Sequence, residues 1–423
     1  MIRKSTLFRV FHRPSRPIRI LALSLFFFTA SWTVLIISPL LCPRQADLGT
    51  DYPLIHKHIY SCNSTGGAWY IPPSWADGND RQPQNILDAA RQVSQSALSW
   101  RERRLPFSNI PLIVHQTWKT TAAYSWNSKI LPWVELWLGA AIKAESGPEM
   151  AYLFWDDVGM RSLIEEYEKD FLETYDSILT PVERSDAFRI LVCKHFGGVY
   201  GDLDTELIRH PATWISPSDI STWTDTETHI EYGYHNHSVM LDDQTSVVNF
   251  LWGLEADNDP GSDAYWRQSY TYPQQLSQWA FAAAPHHPIV TQYMENLRGY
   301  TKDNETAALN SDPLKRTGPA AVTLATKSLL EDRVGFRWAS LTGVKDGGRP
   351  KLVDDVLILP ITAFHPSHGS RIETMGRKPR NDPEARLTHH GTGSWKHFNL
   401  AGEYGKVCRR LFGLCRDWPR LTG

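Results

Sequence analysis

TPVERSDAFRILVCKHFGGVYGDLDTELIRHP, residues 180–211, is the stretch around which the chain is best read. Thr180 suits an N-cap, Pro181 the first helical position, and Glu183 the carboxylate of a capping box, so a helix starts here. Ala187, Ile190 and Leu191 fall on one face of it and point to the core. Asp186 and Arg189, three residues apart, share a neighbouring face. Gly197-Gly198 ends the helix and permits a tight turn. Val199–Thr205 then reads as extended, and alternation places Asp202 and Asp204 on one side with Leu203 turned away. Two carboxylates on one side of a segment are hard oxygen ligands suited to Mn²⁺ or Mg²⁺. A polar turn at a strand end is the plainer alternative.

Working outward from this stretch, the chain has 423 residues, room for one large domain plus appendages. Its formal net charge of −2 excludes nothing structural and gives no sign of a nucleic-acid partner. That balance conceals an asymmetry. Arg3, Lys4, Arg9, Arg13, Arg16 and Arg19 crowd the first 19 residues, and no acidic residue occurs before Asp47. They precede Ile20–Cys42, an uncharged apolar run of about the roughly 20 residues needed to span a bilayer as a helix. A cleaved signal has a shorter apolar core, and the positive-inside rule puts the basic end in the cytosol. A type II membrane protein is the expectation. Its parts would be a basic tail over 1–19, a signal-anchor over 20–42, a stem over 43–105, a catalytic domain over 106–400 and a C-terminal tail over 401–423.

Five cysteines make no C-x-x-C pattern; Cys408 with Cys415, and Cys42 with Cys62, are pairs that an oxidising lumen would permit. Cys193, on the apolar helix, reads as a buried thiol. Asn63-Ser64-Thr65, Asn236-His237-Ser238 and Asn304-Glu305-Thr306 are glycosylation acceptors in form.

The domain opens on IPLIVHQTW, a buried strand beginning at Ile110, and such strands carry ligands beyond their carboxyl ends. Asn127–Glu145 reads as a helix and Ala151–Phe154 as a strand. Trp155-Asp156-Asp157 follows, where the carboxylates cap the helix Val158–Lys169. Ile230–Met240, Val247–Trp252 and Val356–Phe364 read as further strands, with a helix from Pro319 to about Leu330. The chain then reaches His389-His390-Gly391-Thr392-Gly393-Ser394-Trp395, where an imidazole can complete a site begun by carboxylates.

The run S-D-A-F-R … G-G-V-Y-G-D-L-D-T resembles the donor-binding core of family 32 glycosyltransferases. GLEAD (253–257), QLSQWAFAAAPHHPIV (275–290) and the closing H-H-x-x-G-S-W resemble the fungal initiation-specific α-1,6-mannosyltransferase group within it. The likeness runs from Ile110 to Trp395, its motifs in the family's order. It departs at Gly201, where larger residues are tolerated, and at Ser185, where relatives often have Ala.

The resemblance implies an α/β, GT-A-like domain with a central mixed sheet flanked by helices. It implies transfer of mannose from GDP-mannose to an N-glycan core or other mannoside through an α-1,6 linkage, with retention, in the Golgi lumen. By the same likeness Asp202, Asp204 and His390 would hold Mn²⁺, with Mg²⁺ as the other option. Gln116, Thr117 and Trp118 would face the nucleotide, Asp186 and Arg189 the donor sugar, and Ser394 and Trp395 the diphosphate. Glu255 and Asp257 would belong to the acceptor side, and a complex with other glycosyltransferases stays open. No second apolar span follows the closing motif, unlike the sphingolipid mannosyltransferases of the family.

Two other readings compete. A phosphohydrolase built on D-L-D-T would want an apolar strand before the first Asp, where this chain has Gly197-Gly198-Val199-Tyr200-Gly201. A non-catalytic lumenal lectin would not need the aspartates and the closing His-Trp motif together.

Overall fold

A computed structural model describes residues 47–416 and 418, apart from 63, 77–81, 144–146, 179, 235–245, 303–312, 345, 368–374 and 394–399. The basic tail, the signal-anchor, Cys42, Asn63, the sequons at Asn236 and Asn304, Ser394 and Trp395 therefore lie outside the described residues. Among the described residues no helix is long and apolar enough to cross a membrane. The chain divides into residues 1–47 and a compact unit, 48–423.

The strands of that unit are β1 (Gly67–Tyr70), β2 (Ile113–Thr117), β3 (Ala151–Trp155), β4 (Gly198–Gly201), β5 (Thr205–Leu207), β6 (Trp223–Thr224), β7 (Glu231–Tyr232), β8 (Phe250–Asp257), β9 (Gln274–Ala283), β10 (Lys351–Val353), β11 (Val356–Leu359) and β12 (Leu387–His389). Eight of them form one mixed sheet in the order β1-β3-β2-β4-β9-β8-β11-β10. β3, β2 and β4 run parallel, as do β8 and β11, while β9 runs antiparallel to both of its neighbours. Every residue of β2, β3, β4 and β9 is buried, so this part of the sheet is covered on both faces, as apolar parallel strands require. The expected mixed α/β architecture with a large central sheet is what the chain adopts.

The helices that matter for the site are α1 (Ile86–Ser99), α2 (Leu131–Ile142), α3 (Asp157–Tyr167), α4 (Pro181–Phe196), α5 (Pro288–Lys302), α6 (Pro319–Val334) and α7 (Leu400–Val407). α4 starts as its sequence dictates. Thr180 Oγ1 accepts from the Glu183 amide, and Glu183 Oε2 accepts from the Thr180 amide at 3.3 Å. Phe188 then packs edge-on against Trp155, their rings 5.5 Å apart. Burying such a ring contributes about 1.5–3 kcal/mol. The helix stops at Gly197, and Gly198 follows at φ +115°, where a Cβ would sit 2.5 Å from the Ile113 carbonyl oxygen. No other residue fits there, so the glycine pair lets α4 turn directly into the centre of the sheet.

Several expectations are corrected. The stretch read as a stem is, from Leu48 onward, part of the fold: β1 is an edge strand paired with β3, and α1 packs on β3, α3 and α4. The strand read over Val247–Trp252 starts at Phe250 and runs on through GLEAD to Asp257. The late strand stops at Leu359 because Pro360 caps a short helix, Ile361–Phe364. The C-terminal tail is ordered as α7 and a further helical turn, Cys408–Phe412, closed by a Cys408–Cys415 disulfide. Cys193 is a free, buried thiol, as its place on an apolar helix implied.

Candidate active site

The Asp-Leu-Asp triplet does not lie in an extended run. β4 ends at Gly201, and residues 202–204 form a tight turn into β5, closed by the Thr205 amide donating to the Asp202 carbonyl at 3.0 Å. Leu203 is buried beneath the turn. Trp137 of α2 pins it from below, its indole N–H donating to the Thr205 carbonyl at 3.1 Å. A Cβ on Gly201 would meet that indole at 3.0 Å, which is why this chain has glycine where its likeness tolerates larger residues. Gln116, at the end of β2, is fully buried. Its amide donates to the Gly201 and Asp202 carbonyls at 3.2 and 3.4 Å, and it accepts from the Tyr152 hydroxyl at 2.6 Å. Gln116 thus shapes the aspartate turn. Trp118, the next residue but one, is half-buried at the strand's carboxyl end, its amide donating to Trp155.

β5 pairs antiparallel with β12, which sets His389 opposite Thr205. His389 Nε2 is 3.3 Å from Asp204 Oδ1, and its ring lies flat against Trp279, 4.5 Å away. Asp202, Asp204 and His389 each offer a ligand atom, and these atoms all lie within 4.8 Å of one another. His390 faces elsewhere. Alternation along the ribbon turns it to Glu206 Oε2 at 3.0 Å and stacks it on Trp133 at 4.0 Å, while Arg380 holds the same Glu206. The sequence reading placed His390 in the metal set. The structure brings His389 there, because the β5–β12 register decides which of two adjacent side chains faces the turn. Two carboxylates and an imidazole are a donor set that fits Mn²⁺, and their ligand atoms lie close enough together to hold one ion.

The two aspartates differ electrically. Burial alone would raise Asp204. The His389 contact, together with the Thr392 amide and hydroxyl donating to its Oδ2 at 2.8 and 2.9 Å, instead holds the carboxyl well below the usual range. Asp202 is raised by burial and by its neighbour Asp204, against the pull of Arg189 and a hydrogen bond from the Tyr200 hydroxyl at 2.7 Å. Arg189 links the turn to α4. Its Nη2 lies 3.1 Å from Asp186 Oδ1 and 3.2 Å from Asp202 Oδ1, and its guanidinium rides over the Tyr200 ring at 5.1 Å. Asp186 is buried, accepts from the Thr317 hydroxyl at 2.9 Å, and is pushed up to about 7 by that burial. Asp186 and Arg189 thus form a buried brace under Asp202.

Of the other expected residues, Asp156 caps α3 by accepting from the Gly159 amide, the capping role read from its position. Glu255 is half-buried and accepts from Gln275, whereas Asp257 is buried and accepts from the Gly343 amide. Sequence reasoning missed Thr392, Tyr200, Trp279, Glu206 and Thr317. Tyr200 was within reach, since alternation puts it on the Asp202 side of the strand. Thr392 fills a variable position of the closing motif and carries no signal of its own.

Comparison with known proteins bears on this geometry. Residues 140–221 match the family described as "Glycosyltransferase sugar-binding region containing DXD motif", a span that includes α4 and the aspartate turn. The initiation-specific alpha-1,6-mannosyltransferase of Schizosaccharomyces pombe is 29% identical over 306 residues, covering 70% of this chain and 66% of that protein. The chain thus spans just under two thirds of that relative. The protein of the same name from Candida albicans is 25% identical over 313 residues, 68% of this chain and 72% of that one. Inositol phosphoceramide mannosyltransferase 3 of S. pombe is 37% identical, but over 26% of this chain and 32% of its own length. The chain is similar to the fungal initiation-specific mannosyltransferases, as its motifs indicated. The matched family and these relatives are all glycosyltransferases by description.

Proposed function

We propose that this protein transfers mannose from GDP-mannose to a mannoside acceptor, the core of an N-glycan or another mannoside, forming an α-1,6 linkage with retention. The observation that carries this reading is the convergence of Asp202, Asp204 and His389 at the carboxyl end of β4, above a buried Asp186–Arg189 brace. The names of the mannosyltransferase relatives support the sugar, and their likeness to family 32 supports a GT-A-like fold and a guanosine diphosphate leaving group.

In this reading Asp202, Asp204 and His389 hold Mn²⁺, or Mg²⁺ in its place. Bound there, the ion would neutralise charge on the donor's diphosphate. Asp204 is the ligand whose negative charge His389 and Thr392 stabilise. Arg189 opposes the rise that burial imposes on Asp202 and fixes its direction. Trp279 holds the His389 ring flat, leaving Nε2 towards the aspartates. Ser394 and Trp395 remain assigned to the diphosphate by the motif alone, and Asp186 and Arg189 to the sugar by likeness. Retention gives no covalent nucleophile by name, so attack from the donor's own face stays open. The location proposed is the Golgi lumen, behind a signal-anchor at 20–42.

The test is a panel of nucleotide sugars and mannose oligosaccharides, assayed with the full chain with and without Mn²⁺. Mn²⁺-dependent use of GDP-mannose with an α-1,6 product is the expected result. Turnover of a UDP-sugar alone would overturn the donor, and binding of mannosides without turnover of any donor would favour the lectin.

A further inference from the structure

The C-terminal helical segment inverts the usual arrangement of a surface helix. Its inward positions are small or polar: Gly402, Gly405, Cys408 and Arg409 are buried. Its outward positions are apolar: Leu400, Tyr404, Val407, Leu411, Phe412, Leu414 and Trp418 are each between 41% and 75% exposed. A helix seated on a core by its apolar stripe would show the opposite. Leu400, Tyr404, Val407 and Leu411 recur at spacings of four, three and four, so they form one stripe on the helical run, which exposed Phe412 and Leu414 extend past its end.

The band is held rigidly. Cys408–Cys415 closes the chain beyond α7. Arg409, without exposure, donates to the Trp418 carbonyl and to Ser269 Oγ, each at 3.3 Å. The Trp418 indole N–H returns to the Ala401 carbonyl at 3.0 Å and lies against Gly405, where a Cβ would meet the ring at 2.6 Å. Arg416 reaches back to the Tyr265 hydroxyl at 3.1 Å and over the Trp266 ring. Beside the band stand exposed Arg410 and Arg416 and half-buried Lys406, the last paired with Glu403. With Arg409 buried, three cationic residues of 400–418 reach the surface, against two acidic residues in that stretch, in a chain whose formal net charge is −2.

We propose that residues 400–418 dock on the surface of an anionic lipid bilayer. An apolar band with cations at its flank and Tyr404 and Trp418 among its exposed rings matches acyl chains on one side and phosphates on the other. The helical run 400–412 is far shorter than the roughly 20 residues a span needs, so it lies in the interface. This contact is separate from any anchoring by 20–42 and from the sugar chemistry, and it would hold the compact unit against the membrane by a second, reversible attachment.

The test uses the full chain in phosphatidylcholine/phosphatidylserine nanodiscs containing a photoactivatable phospholipid, with adducts mapped by mass spectrometry. Adducts on 400–418 are expected, recorded separately from those on 20–42. Leu411→Asp with Phe412→Asp should reduce adducts at 400–418 by about tenfold or more and leave those at 20–42 unchanged. Arg410→Glu should lower them less, and phosphatidylcholine alone should do the same. An unchanged thermal unfolding profile keeps the double variant interpretable, because both side chains are exposed. Absence of lipid adducts on 400–418 would overturn the proposal. So would copy-to-copy cross-links through Leu411 or Phe412 in place of lipid, which would assign the band to self-association.

Discussion

Two sets of carboxylates and cations meet at the aspartate turn, and they behave differently. On the helix side, Asp186, Arg189 and Asp202 are packed under the sheet's end, and burial raises both carboxyls despite the guanidinium between them. On the ribbon side, Asp204 and Glu206 sit beside His389, His390, Thr392 and Arg380, and both are held below their ordinary range although burial opposes it. The lesson is one of division of labour. The ribbon supplies a carboxylate whose charge His389 and Thr392 stabilise, while the brace supplies one that burial raises and that Arg189 opposes and orients.

The sharpest way to break this comparison is at Asp204. Asp204→Ala should lower mannosyl transfer by about 10³-fold or more, since no neighbouring carboxylate replaces it. Thermal unfolding should move by no more than about 2–4 °C, because the side chain supports ligands and not the core. Full activity at ordinary Mn²⁺ would remove the aspartate from the metal set.

The brace is tested at Arg189. Arg189→Met leaves two buried carboxylates unpaired and should cost about 3–5 kcal/mol, read by chemical denaturation. Arg189→Met with Asp186→Leu should recover part of that stability, yet leave transfer impaired because Asp202 still lacks its partner. Recovery of both together would show that the arginine serves the fold alone.

The two histidines sharpen the ribbon side. His389→Ala should weaken Mn²⁺ binding by at least about tenfold, measured by titration calorimetry. His390→Ala should weaken it by only about twofold to threefold, acting through Glu206 and the Trp133 stack. The reverse order would restore the assignment read from the closing motif.

The smallest effect lies away from the site, at Glu168, which accepts from Lys194 and, at 2.7 Å, from His195. Burial would raise this carboxyl, but the His195 and Lys194 contacts lower it. A lowered folded pKa stabilises the protein above the unfolded carboxylate's value near 4.3. That contribution is lost as pH falls through the folded value. Glu168→Gln should therefore lose about 1.5–3 kcal/mol at pH 7 and flatten the acid limb of stability against pH. Transfer should be unaffected, which marks the brace, and not burial of charge in general, as the source of the Arg189 effect.

Local chemistry made much of this legible. The capping box at Thr180 and Glu183, the apolar face through Ala187, Ile190 and Leu191, and the glycine stop at Gly197-Gly198 depend on neighbours within one turn, so 180–198 reads directly as the structure has it. The pairing of Asp186 with Arg189 follows from helical spacing in the same way. Asp202 and Asp204 were identifiable as a ligand pair, though for a partly wrong reason: a turn, and not strand alternation, brings them together.

What the amino-acid order determined by itself is thus the set of elements reachable through short-range hydrogen bonds and steric limits, together with the residue types a metal and a diphosphate require. Tertiary structure alone decided the rest. Which histidine meets the aspartates depends on the register of β12 against β5, a pairing between segments at least 180 residues apart, and a shift of one residue would exchange His389 for His390. The entry of 67–70 into the sheet beside β3, and the seating of a helix by Gly402, Gly405 and Arg409 with its apolar band outward, were likewise settled by distant partners. Periodicity reports that a face is apolar; only packing reports which way it points.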